Sequence, residues 1–73
     1  MLSASVTVTE RAKSLSLDRP VWVVDSVNHV FYSEVEAMVE FHQIVSFGMA
    51  TDDLRVTKYY QQTETVITRN EKR

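Results

Sequence analysis

The clearest periodic signal lies between residues 33 and 48. Ala37, Met38, Phe41, Ile44 and Val45 recur at spacings of three and four, which sets them on one stripe of a helix. Glu36, Glu40 and Gln43 fall on the opposite side, and Val39 sits on a flank. Ser33 stands just before the stripe and Glu36 three residues later, the pattern of a capping box in which side chain and backbone satisfy one another reciprocally. Gly48, the only glycine, suits the left-handed residue that ends a helix. A helix over residues 34–47 is predicted. Phe47 breaks its polarity, because it projects roughly with Glu36, Glu40 and Gln43. Such a residue either folds back over the helix end or stands out as an anchor for a partner.

Around this helix the apolar spacing shortens to two. Pro20 can open a strand. Val21-Trp22-Val23-Val24 is apolar on both alternating faces, as expected of a central strand. Asp25-Ser26-Val27-Asn28 reads as a turn. His29-Val30-Phe31-Tyr32 returns as a second strand, with Val30 and Tyr32 on one face and His29 and Phe31 on the other. After the polar turn Thr51-Asp52-Asp53, residues 54–60 form a third strand, with Leu54, Val56 and Tyr60 sharing a face. Residues 61–68 carry β-branched positions but no Gly, Asn or Pro to mark a reversal. Extension of the third strand or fraying is therefore expected there, ahead of a separate fourth strand. Residues 1–19 show little apolar periodicity. Val6-Thr7-Val8-Thr9 alternates like an extended segment, and Thr9 could cap one short helical turn.

These elements predict an α+β fold of ββαβ type: a three-stranded antiparallel sheet in the order 2-1-3 with one helix packed on one face. The compact domain is expected at residues 20–60, between a flexible N-terminal arm at 1–19 and an extended or frayed tail at 61–73. The expected core is Val21, Val23, Val30, Tyr32, Met38, Phe41, Val45, Leu54 and Val56. The opposite strand phase, with Trp22 turned inward, stays open because both faces of the first strand are apolar. One helix cannot cover both faces, so part of the Trp22, Val24 and Phe31 face is expected to be capped by the arms or left open.

Composition narrows the chemistry. The chain has 73 residues, 44% of them hydrophobic and 25% charged, with one Gly, one Pro and no Cys. That is one small domain with no disulfide framework and no cysteine-ligated zinc. No apolar run approaches the length of a membrane span. Met1-Leu2-Ser3-Ala4-Ser5 lacks the positive and apolar regions of a signal peptide, so a cytoplasmic setting is expected. The net charge of −2 is unevenly spread. Residues 1–19 carry +1, residues 20–54 carry −6 with no Lys or Arg, and residues 55–73 carry +3. The acidic middle disfavours duplex DNA and suits a basic protein surface. His29 and His42 have no ligand partner at one-turn spacing, and Asp52-Asp53 reads as a turn. One glycine excludes a glycine-rich phosphate loop. Tyr59 and Tyr60 are adjacent and so point to opposite faces of a strand, which weakens a base-stacking platform. No metal site, cofactor or catalytic group is expected, and the chain is expected not to be an enzyme.

The Ser/Thr-rich start (Leu2-Ser3-Ala4-Ser5-Val6-Thr7-Val8-Thr9), the core from Pro20 to about Tyr60, the loose ends and the overall size resemble small phage-encoded regulators that bind host RNA polymerase. The resemblance spans the chain but rests on no residue motif. It implies a protein that docks on the amino-terminal part of the polymerase's largest subunit and on the flap of the second-largest, in the host bacterial cytoplasm. Docking there inhibits initiation by disfavouring sigma contacts. The same resemblance implies that docking would also hinder terminator hairpins and so promote antitermination, with a host elongation factor as a further candidate partner. The residues expected to touch the partner are Val6, Thr7 and Val8 as an ordering strand, Arg11 as a charge contact, Glu36 and Glu40 against basic surface, and Phe47 as an anchor. A homodimerising domain and an RNA-binding domain using Arg69, Lys72 and Arg73 are the alternatives.

Overall fold

The computed structural model describes residues 7–48 and 54–70. Thr7 opens the first element, helix α1 (Val8–Leu15), with a complete capping box. The Thr7 hydroxyl accepts from the Glu10 backbone N–H at 3.1 Å, and the Glu10 carboxylate accepts from the Thr7 N–H at 3.3 Å. Strands β1 (Val21–Val24) and β2 (Val30–Phe31) follow, then helix α2 (Glu34–Ser46), then strands β3 (Arg55–Tyr60) and β4 (Thr63–Arg69). The four strands form one sheet in the order β2-β1-β3-β4, with every neighbour antiparallel. The α+β class, the antiparallel sheet and the 2-1-3 portion of its order agree with the sequence reading.

The count of elements differs. The sheet has four strands and the fold two helices, where three strands and one helix were expected. The segment expected to be a flexible arm holds α1. Its cap is Thr7, not Thr9, and packing supplies what eight residues lack in intrinsic helix stability. The segment expected to fray holds β4. Gln61 and Gln62 turn the chain with φ of 50° and 67°, both left-handed, as a two-residue hairpin of the primed type demands. Thr57 pairs with Val66 and Val56 with Thr68, so Ile67 is an extra residue in β4.

The structure also fixes the strand phase. Trp22, Val24, Phe31, Leu54 and Val56 pack with Ala37 and Phe41 of α2. Val21, Val23, Val30 and Tyr59 pack with Ala12 of α1. Trp22 therefore lies under α2, and the Val21 face is the one the N-terminal helix covers. The first strand is apolar on both sides because both sides are buried, which is also why its phase could not be read. Two expected core residues are displaced outward: Tyr32 is exposed, and Val45 lies at the margin of α2's buried stripe. Met38 and Ile44 are partly buried against the α2 cluster. Gly48 ends α2 with φ of +72°. Ser33 caps its start through the Glu36 N–H at 3.5 Å, without the reciprocal bond from the Glu36 side chain among the described residues.

Candidate protein-docking surface

Because α2 turns Ala37 and Phe41 toward the sheet, its far side is fixed by the helical period. Val35, Val39, Gln43 and Phe47 follow at spacings of four and make one ridge along that side. The ridge is about 18 Å long at 1.5 Å per residue. Its three apolar members are 70%, 49% and 74% exposed. Glu36 and Glu40 border it, and α2 contains no Lys or Arg to offset them. Scattered exposed apolar side chains are ordinary on a small protein. Here Val35 and Val39 are neighbours on one ridge, Gln43 separates them from Phe47, and Glu36 and Glu40 give the ridge an acidic border.

Of the residues expected to touch a partner, Glu36, Glu40 and Phe47 come together on this helix. Phe47 stands out from it and does not fold back. Val35 and Val39 complete the exposed ridge, and the sequence reading did not single them out. Their spacing of four was readable, but Val39 looked like an irregularity beside the stronger buried stripe. The N-terminal candidates have other roles. Val6 lies outside the described residues. Thr7 is spent as the α1 cap, and Val8 packs against the Val21 cluster, so neither is free to extend as a strand. Arg11 is exposed on α1 and lines a groove of about 260 Å³ with Leu15, Asn28, His29, Val30 and Tyr32.

Other polar contacts tie the elements together. Arg55 Nε donates to the Asp25 carboxylate at 3.2 Å, and the Asp25 N–H donates to the Arg55 carbonyl at 2.9 Å, tying the β1 turn to β3. Lys58 reaches over the Trp22 ring at 5.8 Å, a cation–π contact. Burial pushes the Tyr59 hydroxyl above the usual tyrosine range, and the neighbouring Glu64 adds to the shift while a hydrogen bond to Thr9 opposes it. A cavity of about 210 Å³ beside it is lined by Lys13, Ser16, Gln62, Thr63 and Glu64. His29, in the loop before β2, and His42, on α2, are both exposed. Among the described residues no three His, Cys, Asp or Glu side chains cluster to hold a metal, and no helix is long and apolar enough to cross a membrane.

No family model, no curated protein and no solved structure matches the chain.

Proposed function

We propose that this chain works by docking the outer ridge of α2 on a basic surface of a partner protein, with no reaction of its own. The observation that carries the reading is the ridge itself: Val35, Val39 and Phe47 in line, exposed, and bordered by Glu36 and Glu40 with no cation on the helix. An apolar ridge supplies desolvated contact area, and the acidic border supplies orientation and steering. The partner we propose is bacterial RNA polymerase, approached at the amino-terminal part of its largest subunit and the adjoining flap. The outcome is inhibited initiation and assisted antitermination. The resemblance in size and in the Ser/Thr-rich start to phage polymerase regulators supports this choice of partner. The acidity of residues 20–54 supports it by matching a basic protein and by repelling duplex DNA.

The experiment is capture of purified polymerase by the tagged chain, run beside Phe47→Ala and Glu40→Lys. Retention by the native chain, lost in both variants, supports the proposal. No retention, or equal retention by all three, removes it.

A second reading, homodimerisation, is favoured by one observation. β4 is a seven-residue edge strand with no strand on its outer side among the described residues. Sedimentation separates the two readings: a concentration-dependent dimer favours this one, and a monomer up to high concentration removes it.

A further inference from the structure

The opposite edge of the sheet differs from β4 in chemistry. β2 has β1 on one side and no strand on the other among the described residues, so its outer backbone groups face an open edge. Helix α1 runs alongside and turns that edge into the wall of a groove. The apolar lining is Leu15, Val30 and Tyr32, and the polar lining is Arg11, Asn28 and His29. Arg19 adds a second guanidinium at the rim, 5.5 Å from the Tyr32 ring. No carboxylate lines the groove. The ion pair found among the described residues is Arg55 with Asp25, so neither Arg11 nor Arg19 is neutralised by a described carboxylate. At about 260 Å³ the groove is smaller than an ordinary small-molecule site and suits the side chains of a docked segment.

We infer that this groove receives an extended acidic peptide segment of a partner protein, added as a strand at the open edge of β2. Backbone pairing to β2 supplies register. A carboxylate of the segment meets Arg11, within reach of Arg19 and His29. An alternate apolar side chain lies between Leu15 and Tyr32, in keeping with the period of two along a strand. The basic groove and the acidic α2 ridge lie on different elements with opposite charge, so the groove calls for a different segment from the one the ridge would meet.

The test is a titration of the full-length, ¹⁵N-labelled chain with a capped heptapeptide alternating valine and glutamate. A matching valine–lysine peptide and the Arg11→Glu variant serve as controls. The expected result is saturable amide shifts centred on Val30, Phe31, Tyr32 and Leu15, with α2 amides unmoved. Affinity should fall about ten-fold in Arg11→Glu, since an attractive charge contact is replaced by a repulsive one. The spectrum of the variant itself reports that it remains folded. Shifts centred on β4 or α2, equal binding of the lysine peptide, unchanged affinity in Arg11→Glu, or no shifts at millimolar peptide would each overturn the inference. None of these readouts involves the polymerase, so they leave the α2 proposal to its own experiment.

Discussion

The backbone N–H of Gln61 donates to the carbonyl oxygen of Ser16 at 2.9 Å. This one bond joins the end of α1 to the turn between β3 and β4, and so links the two segments that looked most like loose ends. Ser16 is itself buried, and its hydroxyl donates to the Lys13 carbonyl at 2.8 Å. The N-terminal helix is thus a structural layer of the domain. Ala12→Asp puts a carboxylate against Val21, Val23, Val30 and Tyr59. A buried unpaired carboxylate costs several kcal/mol, enough to unfold a domain this small. Thr7→Ala removes the cap and costs about 1 kcal/mol. Circular dichroism during thermal melting reads both. An arm that did not pack would leave the melting temperature unchanged in each case.

The hairpin turn carries removable strain. Gln61 and Gln62 both have positive φ, where a side chain costs about 1 kcal/mol or more per residue. Replacing the pair by Asn-Gly keeps the Gln61 position's backbone donor and relaxes both residues. The expected gain is about 1 kcal/mol, which corresponds to a rise in Tm of about 4–8 °C for a domain of this size. An unchanged or lowered Tm would contradict the turn geometry.

Gly48 gives the converse case. A Cβ added there meets no atom within 4 Å, so any cost comes from the φ of +72° alone. Gly48→Ala should therefore destabilise by about 1 kcal/mol without disturbing the packing. Denaturant unfolding should show a lower midpoint with the slope unchanged.

Tyr59 makes stability sensitive to alkali. Its hydroxyl is held protonated in the folded chain by burial and by Glu64, so its folded pKa lies above the unfolded value near 10.0. The contribution is fully present below the unfolded pKa and is lost as pH rises through 10 toward the folded pKa. Tyr59→Phe removes this part of the alkaline decline. Chemical denaturation of both proteins between pH 8 and about 11 checks the sign: above pH 10 the native chain should lose stability more steeply than the variant. A constant gap would show that Tyr59 ionises alike in both states.

Local chemistry in the sequence foretold what was local in the fold. Ser33 and Gly48 mark the limits of α2 because capping and a left-handed terminus are short-range requirements. The sheet order followed from the all-apolar run of β1, which has to be central. The same run hid the strand phase, since residues buried on both faces show no alternation. For α1 the signal is short but present: Thr7 and Glu10 repeat the spacing of Ser33 and Glu36. For β4 no signal existed, because Gln61 and Gln62 are not residues that favour positive φ and the tie to Ser16 is long-range. The acidic border of the α2 ridge and Phe47 were legible from helical spacing. The groove at β2 was not, because it exists only where α1 packs beside the sheet edge.

Binding of the purified chain to purified bacterial RNA polymerase, measured by interferometry for the native sequence and for Val39→Lys with Phe47→Ala, tests the docking account most directly. Both positions are exposed, so the double variant should keep the native melting temperature. The account predicts saturable binding by the native chain that weakens with salt and falls at least about ten-fold in the variant. Absence of binding by the native chain, or equal binding by the folded variant, would contradict it.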